Sequence, residues 1–551
     1  MLNTSETTAL PNEQHAESSR VDSVHFGTDG WRAIIGEDFN PRSVARVAEA
    51  AAQVFKRQVL SSADAAGVAG SAGSAGVAGS AGVACSAGSG GSSALGTILI
   101  GYDCRLDAGR YAALAATVIA SVGFDVRISD RYCPTPTLCW TISRDPDIVG
   151  GLMLTSSHNS AEYLGIKLRM ADGGASPSAF TDEVEAALTD ELPACFDEAV
   201  ANFNAAVNGT PDAPAAPCAR APYLHFANIM APYLDTLRSS VDAELIKAAS
   251  LRVVVDPLYG AGRGYLVELL REFGVEAVEV NGDEDPTFRG LHPEPIPPWV
   301  SVGSEKVAEL GFDACFITDG DADRIGAVDG TGAYVTSHKL LALLIGHLVE
   351  DRGLSGRVVR TQAGSNLLSR QCRRLGLALI TCPIGFKWIY GEMLAGDVLI
   401  GGEESGGMGI PSHVRERDGL LMALLLTELM AQKGKKLKEL VDDLLSMLGT
   451  LVYSRRDLRL TPEQKDGFLA THVNSETVGF ERYYEIFSPL DEKLIEVSRG
   501  DGIKFSFASD AWLLVRPSGT EPLVRVYVEA ATDERVQSLL DRGCALAQGA
   551  E

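Results

Sequence analysis

The sequence is short of positive charge. It carries 48 Lys and Arg against 73 Asp and Glu, a formal net charge of -25, with an isoelectric point near 4.8. Nucleic acid and acidic membrane surfaces would be repelled by such a chain, so neither is expected as a partner. A phosphorylated ligand would have to be met by locally concentrated Arg and Lys, which gives weight to basic residues inside glycine-rich motifs. Paired cysteines are also missing: the ten Cys are scattered, with no C-x-x-C and no metal-like spacing with His. Reduced thiols in a cytoplasm are the simplest account. No uninterrupted apolar run is long enough to span a bilayer. The polar, mildly acidic segment from Met1 to Arg20 lacks the apolar core of a signal peptide or anchor.

What is present is length and apolar content. With 551 residues, 46% of them hydrophobic, the chain can bury several cores, and length alone suggests roughly three or four domains. After a tail over 1–23, order is expected from Val24. Asn40-Pro41 reads as an N-cap and first helical position, followed by an apolar face through Val44, Val47, Ala48, Ala51, Val54 and Phe55. Residues 61–96 collapse into Gly, Ala, Ser and Val, which have little to bury, and read as a flexible surface insertion. Strand signals resume at Thr97-Ile98-Leu99-Ile100, followed by Gly101-Tyr102-Asp103-Cys104-Arg105 and a helix. Strands alternating with helices imply parallel sheets. A first boundary is expected in the Ala-, Pro- and acid-rich stretch before residue 220, and the units are expected near 24–220, 221–331, 332–450 and 451–551.

Four loops carry the chemistry. The apolar run Ile148 to Leu154 ends in Thr155-Ser156-Ser157-His158-Asn159, a strand delivering hydroxyls to its carboxyl end. A plain turn is the bland alternative, since Ser, Thr and Asn cap backbone groups. Next, the strand Ala314 to Ile317 leads into Asp319, Asp321 and Asp323 in strict alternation, then Arg324. Three carboxylates so spaced can converge on one hard cation, leaving room for water or a phosphate oxygen. An EF-hand fails here, because its sixth position would be Arg324 and its twelfth Gly330; a solvated acidic turn stays open. The third loop, Gly401 to Gly407, holds Glu403, Glu404 and Ser405, able to bond sugar hydroxyls. Finally, Arg516-Pro517-Ser518-Gly519-Thr520-Glu521-Pro522, with Arg525 beyond, has the composition of a phosphate cradle, a structural turn being the alternative. The glycines of LRVVVDPLYGAGRGYL do not keep dinucleotide-binding spacing, which argues against a Rossmann cofactor site.

Together these motifs resemble the α-D-phosphohexomutase superfamily, the phosphoglucomutases and phosphomannomutases, from Phe26 onward. The family's T-A-S-H-N-P stands as Thr155 to Ser160, D-G-D-x-D-R is complete as Asp319 to Arg324, G-E-x-S-G is Gly402 to Gly406, R-x-S-G-T-E-P is Arg516 to Pro522, and F-G-T-x-G-x-R is Phe26 to Arg32. The resemblance implies three related α/β domains with mixed sheets plus a C-terminal α+β domain around a central active-site cleft. It implies that Ser157 carries a phosphoryl group, with Mg²⁺ held between it and Asp319, Asp321 and Asp323. Arg32, Lys167, His158 and Arg324 become catalytic candidates, Arg32 and Lys167 for assisting proton transfer or stabilising the transferring group. Glu403 and Ser405 would hold the sugar, Lys387 would add a contact at the cleft, and Arg516, Ser518, Gly519, Thr520 and Arg525 would hold the second phosphate.

The implied reaction interconverts hexose 1-phosphate and hexose 6-phosphate through a bisphosphosugar such as glucose 1,6-bisphosphate. Glucose is favoured over mannose because Gly-Glu-Glu-Ser-Gly-Gly and Gly-Phe-Lys-Trp look like the phosphoglucomutase branch. A phosphoglucosamine or phosphopentose mutase and a metal-dependent sugar phosphatase are the alternatives. A cytoplasmic monomer is expected, a dimer being the other possibility. Three departures stand out: Ser156 replaces Ala, Ser160 replaces Pro, and Leu164 stands where the family has Asn.

Overall fold

In the computed structural model, which describes residues 24–27, 29–69, 95–206, 224–475, 478–490, 492–518 and 523–549, four β-sheets follow one another along the chain. The first contains β1 (Trp31–Ile34), β2 (Thr97–Tyr102), β3 (Asp125–Ser129), β4 (Ile148–Leu154), β5 (Tyr163–Met170) and β6 (Leu224–Ala227), in the order β1-β5-β4-β2-β3-β6. β4, β2, β3 and β6 run parallel, while β5 pairs antiparallel with β4 and β1 antiparallel with β5. The sheet extends past the expected boundary at residue 220, because β6 pairs with β3 along Val126–Ser129. The expected tail over 1–23 and most of the 61–96 insertion lie outside the described residues; the helix Pro41–Ala69 runs into the latter.

The second sheet has β7 (Arg252–Asp256), β8 (Glu276–Glu279), β9 (Ala314–Thr318), β10 (Ile325–Asp329) and β11 (Tyr334–Val335), ordered β11-β10-β9-β7-β8. The third has β12 (Arg357–Thr361), β13 (Leu379–Cys382), β14 (Val398–Gly402) and β15 (Met408–Gly409), ordered β13-β12-β14-β15. Both mix parallel and antiparallel pairs. The fourth, β16 (Val452–Arg459), β17 (Leu494–Gly500), β18 (Gly502–Phe507), β19 (Trp512–Pro517) and β20 (Leu523–Ala530), is wholly antiparallel in the order β16-β20-β19-β18-β17. Three α/β units and a C-terminal unit are therefore the architecture, as expected.

Burial explains why the central strands lack alternation. β9 is buried at every position, as a strand covered on both faces must be. β4 is crowded enough to demand glycine: a Cβ at Gly150 would lie 2.4 Å from the Phe55 ring, and one at Gly151 would lie 2.8 Å from the Leu99 carbonyl. One continuous apolar core runs through the first three units, whereas the C-terminal unit packs around its own. A small cluster of Ala363, Trp512, Leu514 and Tyr527 joins that unit to the third. Among the described residues no helix is long and apolar enough to cross a membrane.

Candidate active site

β4 ends at Leu154, and the next three residues turn inward rather than toward solvent. Ser157 is 1% exposed and adopts a left-handed backbone, φ 52°, a strain of about 1–3 kcal/mol for a residue other than glycine. Its N–H donates to Thr155 Oγ1 at 2.8 Å, and its own Oγ donates to Asp319 Oδ2 at 2.9 Å. The nearest ring nitrogen is His158 Nδ1, 3.5 Å from Ser157 Oγ. Ser156 points elsewhere: its Oγ is buried and bonds nothing. Local geometry thus separates the two adjacent serines, and only Ser157 meets the carboxylates.

Asp319, Asp321 and Asp323 follow β9, with Ala322 between them in a left-handed conformation, φ 55°. Each can offer an oxygen so that the three lie within 4.8 Å of one another, and all three residues are fully buried. Oδ1 of Asp321 and of Asp323 has no hydrogen-bond partner. Orphaned buried carboxylate oxygens are costly, and a divalent cation is the group that such a donor set accommodates. The electrostatics agree. Burial and repulsion from Asp323 and Asp321 push the Asp319 carboxyl well above the usual range. Burial opposes ionisation of Asp321 too, but Lys167 and Thr135 hold its carboxyl well below the ordinary value.

The cations around this cluster come from several units. Lys167, on β5, places Nζ 2.8 Å from both Asp321 Oδ2 and Asp323 Oδ2 and 3.0 Å from Asp29 Oδ2. Burial alone would favour neutral lysine, but Asp29, Asp321 and Asp323 raise its pKa, which suits stabilising a phosphoryl group better than accepting a proton. Arg324 sits 3.3 Å from Glu294 and 3.9 Å from Asp319, and Arg32 donates to Asn159 Oδ1 at 2.7 Å. Burial, then the charges of Arg324, Arg32, Arg525 and Lys167, depress His158 well below the usual imidazole value. Those four cations belong to the first, second and C-terminal units, so cations from three units act on His158 although the protein as a whole is acidic.

The loop after β14 is stitched to the aspartate loop. Ile325 N donates to Gly406 O at 3.0 Å, and a Cβ at Gly406 would collide with Ile325 O at 2.4 Å. Glu403 is 7% exposed, and burial pushes its carboxyl up to about 7, with Arg417 at 3.5 Å opposing. Ser405 is half-buried beside it, whereas the Glu404 carboxylate is occupied by Thr361 Oγ1 at 2.7 Å. Lys387 lies apart from the carboxylates: its Nζ donates to Ser178 Oγ at 3.0 Å, tying the third unit to the first. In the C-terminal unit Arg516 and Arg525 stand directly opposite each other on β19 and β20. Arg516 is anchored by Asp501 at 2.7 Å, and Ser518 N closes the connecting loop onto Leu523 O at 2.8 Å. Gly519 and Thr520 lie outside the described residues.

Several site residues had no role assigned from sequence. Asp29 binds Lys167, Arg169 and Arg417, and Arg417 also reaches Asp323 at 2.8 Å and Glu416 at 2.9 Å. Asp29 stands inside the Phe26–Arg32 motif and Arg417 ten residues beyond the Gly401–Gly407 loop, and nothing local shows that they meet. Leu164, in place of the family's Asn, is fully buried on β5, and Ser160 keeps its carbonyl bonded to Arg105 at 2.7 Å.

Comparison with known proteins accounts for this arrangement. Profiles of the phosphoglucomutase/phosphomannomutase family match in order: alpha/beta/alpha domain I at residues 67–193, domain II at 231–332, domain III at 336–448 and the C-terminal domain at 488–545. A phosphoglucomutase/phosphomannomutase of Thermococcus kodakarensis is 31% identical over 453 residues, covering 82% of this chain and 90% of its own. A phosphoglucosamine mutase of Nostoc punctiforme is 27% identical, covering 80% and 81%. The crystal structure of a candidate phosphomannomutase from Thermus thermophilus superposes with a TM-score of 0.73 at 29% identity, covering 96% of this chain and 99% of the other. The chain accordingly belongs to the phosphoglucomutase/phosphomannomutase family and is an enzyme of the phosphohexomutase kind, a mutase working by phosphoryl transfer.

Proposed function

We propose that this enzyme interconverts glucose 1-phosphate and glucose 6-phosphate, with Ser157 as the phosphoryl carrier. The observation that carries the reading is the 2.9 Å approach of Ser157 Oγ to a buried triplet of aspartates with two orphaned oxygens. Asp319, Asp321 and Asp323, with the phosphate on Ser157, would hold Mg²⁺, which when bound supplies charge neutralisation for the transferring phosphoryl group. In the first half-reaction the bond from phosphorus to Ser157 Oγ breaks and a bond to a sugar hydroxyl oxygen forms. The hydroxyl proton passes to a group on the sugar's side of the phosphorus, opposite Ser157 Oγ, and Arg32, whose pKa burial lowers, is the candidate. Lys167, Arg324 and Arg32 stabilise the charge in flight. The product, a bisphosphosugar, turns over in the cleft and returns its other phosphate to Ser157. Glu403 and Ser405 bind the sugar hydroxyls, and Arg516, Ser518, Gly519, Thr520 and Arg525 bind the phosphate that does not react. The Gly-Glu-Glu-Ser-Gly-Gly and Gly-Phe-Lys-Trp runs favour glucose.

The test measures turnover of glucose, mannose, glucosamine and ribose 1-phosphates, each with and without a trace of its own bisphosphate. The expected outcome is fastest conversion of glucose 1-phosphate, dependent on the bisphosphate. Release of free phosphate at the rate of substrate loss would make the protein a phosphatase instead.

A further inference from the structure

The motif Gly101 to Arg105 is conspicuous in the sequence and is not used in the proposed chemistry. In the structure it ends β2 beside the Ser157 loop, and Arg105 is fully buried. Its Nη2 donates to the carbonyls of Ser157 at 2.8 Å and Asn159 at 2.6 Å. Its Nη1 donates to those of Ser160 at 2.7 Å and Tyr163 at 2.9 Å. One guanidinium therefore grips four main-chain oxygens of the loop that presents the nucleophile. The side chain is aimed by Asp103, whose Oδ2 accepts from Arg105 Nε at 3.2 Å. The same carboxylate accepts from Thr155 Oγ1 at 2.6 Å, and Thr155 Oγ1 accepts the Ser157 N–H. From the other side, the Phe288 ring of the second unit lies 4.9 Å from the guanidinium carbon.

We propose that Arg105, aimed by Asp103, is the positioning residue that fixes the Ser157 loop against the aspartate triplet, acting through main-chain carbonyls rather than on substrate. The proposal rests on Ser157 being the phosphoryl carrier. Ser157 needs such a brace, because its left-handed backbone is strained and the family's proline is replaced by Ser160. Only a planar fork of donors can serve four carbonyls at once; a lysine ammonium offers three donors from a single point. Because the sugar and distal-phosphate groups sit on other units, the loss should fall on turnover and not on substrate binding.

The experiment uses the full chain with Mg²⁺, the bisphosphate and the sugar phosphate that the wild type converts fastest. It reads kcat, KM, the thermal transition and the phosphate occupancy of Ser157 by intact mass, for Arg105→Lys, Asp103→Asn and Ser157→Ala. Arg105→Lys is expected to lower kcat by about 100-fold with KM within about threefold, as a misplacement on the order of 1 Å can cause. Ser157 occupancy should fall with it. A kcat within about threefold of wild type, or a loss carried by KM, would overturn the proposal. If Arg105→Lys does not fold, Asp103→Asn carries the same expectation, and loss of the fold in both would show that the pair holds the domain and not the loop. An active Ser157→Ala would instead remove the phosphoserine reading itself.

Discussion

Gly320 offers the sharpest perturbation of the site. It stands between Asp319 and Asp321, and a Cβ built on it would lie 2.3 Å from the main-chain oxygen of Ser157 and 3.2 Å from Pro293 Cγ. Side-chain carbons essentially never approach a backbone oxygen closer than 3.0 Å, so the aspartate loop and the Ser157 loop must part by about 0.7 Å in Gly320→Ala. Neither loop yields easily: Arg105 holds the Ser157 carbonyl, and Gly320 N is bonded to Pro293 O at 3.1 Å and its carbonyl to Ala261 N at 2.8 Å. A shift of this size lengthens the Ser157 Oγ to Asp319 approach and removes the alignment on which in-line transfer depends. The expected loss in kcat is about 10- to 100-fold, or roughly 1.4–2.7 kcal/mol of barrier. The assay is conversion of glucose 1-phosphate coupled to oxidation of glucose 6-phosphate. Gly391→Ala is the control, since nothing lies within 4 Å of its would-be Cβ in the helix Phe386–Ala395. Wild-type kcat and full Ser157 phosphorylation in Gly320→Ala would refute the claim that the two loops act in contact.

Other outcomes follow from the same geometry. Ser157→Ala is expected to abolish turnover and the added phosphate mass, whereas Ser156→Ala, which deletes a buried hydroxyl with no partner, should retain activity and cost nothing in thermal stability; equal losses would show that the nucleophile is misassigned. Glu428 is 5% exposed. Burial would raise its carboxyl, but His347, Arg352 and the Asp242 N–H bring it down to about 2. A carboxyl depressed from 4.5 stabilises the fold above pH 4.5 and loses that contribution as pH falls toward 2, about 3 kcal/mol in all. Glu428→Gln should therefore lower the melting temperature at pH 7, and the gap from wild type should narrow below pH 4.5. A gap that stays constant between pH 7 and pH 3.5 would contradict the linkage.

Much of the fold was legible because each α/β unit announces itself locally. The apolar run of β9 followed by Asp319 predicts a buried strand and a carboxyl-end loop, and that is where the chain puts them. β6 was not legible: it lies at the end of a stretch rich in Ala and Pro, and only pairing with β3 gives it an identity. The network around Asp29 was equally hidden, since Asp29 and Arg417 are 388 residues apart and meet only when the first and third units close. The resemblance implied a contact at the cleft for Lys387, yet its bond to Ser178 depends on where a helix of the first unit begins.

The sequence by itself determined the spacing of three alternating carboxylates, because a loop's donor spacing is set by consecutive residues, and its resemblance to the family pointed to Ser157. It also determined that phosphate must be met by clustered cations in an otherwise acidic chain. Only the tertiary structure decided which carboxylate oxygens are taken by Lys167 and which are left for a cation, which of two adjacent serines faces them, and that Arg105 braces the loop. The reason is range: hydrogen bonds and charges act over a few ångströms in space, and these partners stand 52 to 162 residues apart in the chain.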